Sequence, residues 1–380
     1  MKILFVTHCN NMGGANRAML HLMLELRNSG VEPEVVFPKT RKEPQQSLKQ
    51  ELERYGIPFF EAYYFFYRVN SARGWIRYAS NIVWYGRILW MLRKRRYAVV
   101  HSNSSFTDLG VWIGLLKRIP HVWHLREYGN WGQSFPAFGR LFDRFLTRNT
   151  ATGVAISHKE SEYYLPLFPL GKIRVIYDGV EPRKSLPLAE RETNGLYKFC
   201  MVGTLCEGKN QLMAVEAMGM LIQEFPNIRL VIIGEGAAYK RILQSRISEL
   251  GLEAFVQFTG EIDEVDAMLD TVNCGLTLTQ NEAFGRVTVE YMLHALPVIV
   301  TDSGANPEIV TDGVDGFVIR QNHVEELVEA MRKLRSDSAL STRFGLAGFK
   351  TASERFSSAQ NARDIHSLYR ELTSNGRTGH

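Results

Sequence analysis

Two hydrophobic rhythms alternate along the chain. Short runs rich in β-branched and aromatic residues read as strands. In the first half they are Ile3–Thr7, Glu34–Phe37, Ala98–His101, His121–Leu125, Gly153–Ser157 and Ile173–Tyr177. In the second half they are Phe199–Gly203, Arg229–Gly234, Val256–Thr259, Gly275–Thr279, Val298–Thr301 and Phe317–Ile319. Between them lie longer stretches such as Ala15–Asn28, Gln211–Glu224 and Glu325–Leu334, which read as helices. Strand and helix in turn predict an α/β fold, a parallel sheet with helices on both faces.

The rhythm pauses over residues 181–194, EPRKSLPLAERETN, which carry two prolines, dense charge and no periodicity. Such a segment reads as an interdomain linker, with a fresh strand straight after it. Two Rossmann-like domains follow, at 1–182 and 195–356. Ligands of such sheets bind beyond the carboxyl ends of the strands, so a cleft between the domains is the expected site.

The most informative stretch is 281–302, NEAFGRVTVEYMLHALPVIVTD. A helix is predicted from Arg286 to Ala295, stopping before Pro297. Its N-terminus at Gly285, Arg286 and Val287 presents backbone N–H groups suited to a diphosphate, and glycine permits close approach. Glu290, one turn in, suits two ribose hydroxyls. Glu282, ahead of the helix, suits hydroxyls of a sugar beyond the diphosphate. Two surface glutamates on a helix and its preceding loop would give the same spacing.

The likeness extends beyond those glutamates. The stretch resembles the EX7E signature of the family 4 glycosyltransferases. Segments 303–310 (SGANPEIV), 312–318 (DGVDGFV), 176–180 (IYDGV) and 12–17 (MGGANR) resemble other parts of that family in order, although asparagine is more usual where Asp178 stands. The resemblance implies the GT-B fold, two Rossmann-like domains with parallel sheets facing across a cleft. It also implies retaining transfer of a sugar from a nucleotide sugar to a glycan or lipid-linked acceptor, as in bacterial surface polysaccharide synthesis, with UDP favoured over GDP. The segment Ser357–Leu372 reads as a helix, which in this fold crosses back, so that 357–375 joins the first domain. The last residues, 374–380, are expected to be disordered.

By position, the resemblance assigns Glu290 to the donor ribose, Glu282 to the donor sugar, and Gly285, Arg286 and Val287 to the distal phosphate. Lys209 matches a diphosphate-binding lysine, while Thr204 stands where the family carries an arginine. Arg286 is a candidate to compensate. His124 matches a histidine delivered to the cleft, beside Arg126 and Glu127, which orient the site or pair with each other. Gly13 and Gly14 match a tight turn beside the donor phosphates. Each residue also has a plain structural reading: a solvated loop lysine, a surface arginine, a satisfied polar histidine, an ordinary strand-to-helix turn. Gly234-Glu235-Gly236 is only a fragment of a dinucleotide fingerprint, with Tyr239 where a third glycine would fall. No D-x-D motif is present, so no essential metal is expected.

Composition adds an asymmetry. Residues 1–185 carry 27 Lys and Arg against 14 Asp and Glu, and the remainder carries 18 against 26, under an overall net charge of +5. A basic half suggests an anionic partner. Residues 59–67, FFEAYYFFY, are followed by Arg68, Arg73, Arg77, Arg87, Arg93, Lys94, Arg95 and Arg96 interleaved with Trp75, Tyr78, Trp84, Tyr85 and Trp90. Aromatic and basic residues side by side suit an anionic membrane surface, and a core helix with a solvated basic face is the alternative. No nucleic-acid-binding motif accompanies the charge. Cys9, Cys200, Cys206 and Cys274 form no CxxC pair and read as reduced thiols. Without an export signal or a spanning segment, the expected location is the cytoplasm, peripheral at the inner face of the membrane. Two other readings remain: an epimerase or hydrolase acting on a nucleotide sugar with the same fold, and a non-catalytic nucleotide-sugar-binding protein.

Overall fold

The computed structural model describes residues 1–44, 46–65, 72–128, 136–183, 195–262 and 264–375. The chain divides into two compact units: Met1–Gly179 with Ser358–His380, and Val180–Ser357.

The first unit runs β1 (Lys2–Val6), α1 (Gly14–Asn28), β2 (Glu32–Pro38), α2 (Leu48–Arg54), β3 (Phe59–Ala62), α3 (Ala72–Ala79), α4 (Asn81–Met91), β4 (Val99–Ser102), α5 (Leu109–Lys117), β5 (His121–Leu125), α6 (Pro136–Arg148), β6 (Thr152–Ala155), α7 (His158–Tyr164) and β7 (Ile173–Val175). The strands form one parallel sheet in the order β3-β2-β1-β4-β5-β6-β7. Strand β1 is apolar after Lys2, and β5 is buried throughout although it carries His121 and His124, because both sheet faces are covered by helices. Helix α1 buries Met19, Leu22, Met23 and Leu26 at helical spacing against the sheet. Helix α2 opens on a capping box, with Ser47 Oγ accepting from Gln50 N at 3.2 Å.

The second unit runs β8 (Tyr197–Val202), α8 (Gln211–Leu221), β9 (Ile228–Ile233), α9 (Ala237–Glu249), β10 (Val256–Gly260), α10 (Val265–Leu269), β11 (Cys274–Thr277), α11 (Arg286–Leu293), β12 (Val298–Thr301), α12 (Asn306–Ile309), β13 (Gly316–Ile319), α13 (Val324–Ser336) and α14 (Ser338–Arg355). Its sheet is also parallel, ordered β10-β9-β8-β11-β12-β13. Helix α15 (Ser358–Asn375) then belongs to the first unit, burying Ile365, Leu368 and Tyr369 in the same core as α1. In each sheet the strand order reverses once, between β1 and β4 and between β8 and β11, and ligand sites form beyond the strand ends at such points.

Two expectations are corrected. The aromatic run contains a strand: Phe59–Ala62 is β3, paired in parallel with β2. Ser374 and Asn375, expected to be disordered, are the last residues of α15. Phe66, Tyr67, Arg68, most of the linker (184–194) and the tail (376–380) lie outside the described residues, as do the side chains of Arg73 and Trp75.

Candidate active site

In the second unit the strand-order reversal brings together the loops after β8 and β11. A single 3₁₀ turn, Glu207–Lys209, follows β8 and ends at Asn210 in the left-handed conformation. Gln280 N donates to Gly208 O at 3.0 Å, which ties the two loops. Lys209 Nζ then meets Glu282 Oε2 at 3.0 Å. The Glu282 backbone is held from the other side, where Ala305 N donates to its carbonyl at 2.8 Å. Gly304 permits this approach: its φ is +55°, and a Cβ there would sit 2.0 Å from Glu282 O.

Helix α11 begins at Gly285, whose φ of +102° favours glycine. The first helical bond runs from Val289 N to Gly285 O, so the amides of residues 286–288 stand outside the helical ladder at its positive end. Thr288, Val289, Tyr291, Met292 and Leu293 are buried. Half-buried Arg286, Val287 and Glu290 therefore share the opposite face. Tyr291 anchors the helix to β8, its hydroxyl accepting from Val202 N at 2.8 Å. Thr204 is exposed just after β8. The fold thus brings Lys209 and Glu282 into contact, beside a helix that carries Gly285, Arg286, Val287 and Glu290.

In the first unit a buried polar network occupies the carboxyl ends of the central strands. Asn16 clasps the loop after β1, donating to Asn11 O at 2.7 Å and Cys9 O at 3.1 Å and accepting from Thr7 Oγ1 at 2.7 Å. Gly13 and Gly14 follow at the exposed start of α1. Gly13 caps the helix at φ −66°, so the expected glycine turn uses ordinary backbone angles. Asn103, just past β4, donates to Ala15 O at 3.0 Å and accepts from Arg126 Nε at 3.0 Å. Arg126 does not pair with its neighbour Glu127. It pairs with buried Asp178, while Glu127 accepts from Ser104 Oγ at 3.1 Å.

His124 is fully buried on β5. Its Nδ1 lies 3.0 Å from His101 Nε2 and 3.3 Å from Arg126 Nη2. His101 Nδ1 meets Tyr369 Oη at 2.6 Å. Burial, reinforced by the Arg126 charge, pushes both imidazoles well below the usual histidine range, so both are neutral at pH 7. Sequence reasoning did not single out Asn16, Asn103, His101 or Tyr369. Their only local signal is that Asn103 and His101 sit at or just past a strand's carboxyl end.

The basic, aromatic segment has two parts. Arg95 pairs with buried Glu34, which also receives Tyr97 Oη at 2.5 Å, so this cation is structural. By contrast, α3 and α4 expose Ile76 (72%), Ile82 (79%) and Trp90 (64%), with Arg93 stacked 3.9 Å over Trp90. Asp108 holds both helices from below, accepting from Tyr78, Tyr85 and Trp112 at 2.5, 2.7 and 2.8 Å. Among the described residues no helix is long and apolar enough to cross a membrane.

Two family models match in tandem: Glycosyltransferase Family 4 over residues 12–184 and Glycosyl transferases group 1 over residues 186–351. The putative glycosyltransferase EpsD of Bacillus subtilis is 30% identical over 167 residues, 43% of this chain and 43% of that protein. The chain spans less than half the length of the curated relatives matched at this identity. UDP-Gal:alpha-D-GlcNAc-diphosphoundecaprenol alpha-1,3-galactosyltransferase of Escherichia coli is 24% identical over 66% of this chain and 69% of its own length. Anabaena HepE, solved in complex with UDP and glucose, superposes with a TM-score of 0.80 over 98% of this chain and 100% of its own, at 20% identity, a likeness of fold. The fold is GT-B, and the chain belongs to the group 1, family 4 glycosyltransferases.

Proposed function

We propose that the chain is a retaining glycosyltransferase that moves a sugar from a nucleotide sugar to a glycan or lipid-linked acceptor in bacterial surface polysaccharide synthesis. The observation that carries this reading is the Lys209–Glu282 pair beside the N-terminus of α11. It supplies a cation and a helix end for the diphosphate, and a carboxylate for sugar hydroxyls.

In this reading Glu290 takes the ribose hydroxyls, and Lys209 with the amides at Gly285, Arg286 and Val287 takes the phosphates. Glu282 leaves Lys209 to contact the sugar. Gly13 and Gly14 leave room for the phosphates, and His124 serves the transferred sugar. The acceptor oxygen bonds to the anomeric carbon on the face that the phosphate leaves, as the carbon–phosphate-oxygen bond breaks. The acceptor proton passes to the departing phosphate. Stabilising that phosphate is the main electrostatic task, so activity is proposed to need no metal.

UDP is the favoured nucleotide, supported by the UDP in the HepE complex and the UDP-Gal of the E. coli relative. That relative's diphosphoundecaprenol substrate supports a lipid-linked acceptor. The exposed apolar and basic surface of α3 and α4 supports a peripheral position on an anionic cytoplasmic leaflet.

A thermal-shift screen against UDP, GDP, ADP, CMP and their sugar conjugates tests the reading. Saturation at a hundred times the dissociation constant stabilises by about 2.7 kcal/mol. A response to one sugar nucleotide, lost in Glu290→Ala, is the expected result. Silence across the panel refutes it.

A further inference from the structure

Tyr369, His101 and His124 form a buried row in which the direction of every hydrogen bond is determined. Arginine has only donors. Arg126 Nη2 lies 3.3 Å from His124 Nδ1, so that nitrogen accepts. His101 Nε2 approaches the same nitrogen at 3.0 Å and must donate to it. His101 Nδ1 is then left to accept, and Tyr369 Oη donates at 2.6 Å. The far side of His124 agrees: its Nε2 faces Asp178 Oδ1 at 3.9 Å, where a carboxylate favours N–H over a lone pair. That distance is too long for a hydrogen bond, and Nε2 has no hydrogen-bond partner among the described residues. Buried polar groups are rarely left unspent without a use.

Taking His124 as a site residue of the proposed transferase, we infer that its imidazole acts as a hydrogen-bond donor through Nε2 and not as a base, held in that tautomer by Tyr369 and His101 as positioning residues. Nδ1 already receives two donors and Nε2 already carries the proton, so no lone pair remains for the acceptor's proton. Tyr369 reaches this row from α15, on the far side of the sequence from His101 and His124.

The test uses the full chain labelled with [15N]histidine, and three variants: Tyr369→Phe, His101→Leu and His101→Gln. Long-range proton–nitrogen spectra of the wild type are expected to show His124 with a protonated Nε2 and a bare Nδ1. A protonated Nδ1, or a fast mixture of tautomers, overturns the inference. Turnover is read as the slow release of UDP from UDP-glucose to water, which takes the acceptor's place and yields free glucose. Tyr369→Phe and His101→Leu are expected to lower kcat about ten- to a hundredfold with KM unchanged, and to shift the His124 nitrogens. His101→Gln keeps an amide donor toward His124 and is expected to recover most of the loss. Variants that lose thermal stability but leave kcat and the His124 nitrogens unmoved reduce Tyr369 and His101 to structural residues. UDP binding, read separately by thermal shift, stays at the wild-type value in all three. If the wild type neither binds UDP nor turns over UDP-glucose, the UDP reading of the proposed function fails there, while the nitrogen spectra still decide the tautomer.

Discussion

Adding one methyl group at Gly304 tests how Glu282 is held. Gly304 lies at φ +55°, and an added Cβ would fall 2.0 Å from Glu282 O and 2.5 Å from Glu282 N, both backbone atoms with nowhere to retreat. Gly313 is the matched control, at φ +72° with nothing within 4 Å of its added Cβ. Left-handed backbone costs an L-residue about 1–2 kcal/mol, and that is all Gly313→Ala should lose. Gly304→Ala adds the overlap with Glu282, on the order of another 1–3 kcal/mol. At about 2–4 °C per kcal/mol for a unit of this size, calorimetry should resolve the two variants. The same overlap pushes the Glu282 backbone off the Ala305 amide and pulls its carboxylate from Lys209. The thermal response to UDP-sugar should therefore fall in Gly304→Ala and survive in Gly313→Ala. Equal midpoints, or an undiminished UDP-sugar response in Gly304→Ala, would refute the claim that this turn sets Glu282.

Three further outcomes follow from the geometry. Asp178→Ala strands the buried Arg126 guanidinium without its carboxylate and should destabilise the first unit by about 3–5 kcal/mol in chemical denaturation; a loss under 1 kcal/mol would contradict it. Glu160 is fully buried, Oε1 has no partner among the described residues, and burial holds its carboxyl well above the usual carboxylate range. The folded state therefore binds a proton that the unfolded state has released above about pH 4.3, so stability drains as pH rises from there toward the folded value. Glu160→Gln should gain little near pH 4 and progressively more toward pH 7, by up to about 1.4 kcal/mol per pH unit; a pH-independent difference would refute the assignment. Lys209→Ala removes the cation beside α11 and should weaken UDP binding about ten- to a hundredfold by calorimetric titration, the worth of one charge-assisted hydrogen bond of about 1.5–3 kcal/mol.

The strands of both sheets were largely legible because central parallel strands are covered on both faces and read as continuous apolar runs. Strand β3 was not. It is a four-residue edge strand inside a longer aromatic run, and nothing in Phe59–Ala62 marks where pairing stops. In the second unit the arrangement of Glu282, Gly285 and Glu290 was legible because they lie on one loop and one helix, where spacing dictates arrangement. Lys209 came from a likeness of motif, and its contact with Glu282 spans 73 residues. The contacts of the first unit's network were illegible for the same reason. Tyr369 and His101 are 268 residues apart, and Arg126 and Asp178 are 52 apart. No local pattern encodes such contacts. Arg126 and Glu127 were read as orienting the site or pairing with each other, but successive residues leaving a strand point to opposite faces. Arg126 therefore turns toward Asp178, and Glu127 toward the serines after β4.

The placement of α15 also sets an order of events on the ribosome. The second unit is one unbroken stretch, Val180–Ser357, and has all its strands once that stretch has emerged. The first unit, although its sheet is made earlier, lacks the helix that carries Ile365, Leu368 and Tyr369 until the second unit has been translated. At about 5–20 residues per second this delay is on the order of ten to forty seconds. Throughout that interval the α1 face that α15 covers stays open, and the phenol that orients His101 has yet to be made. The half of the protein born first is thus the half finished last.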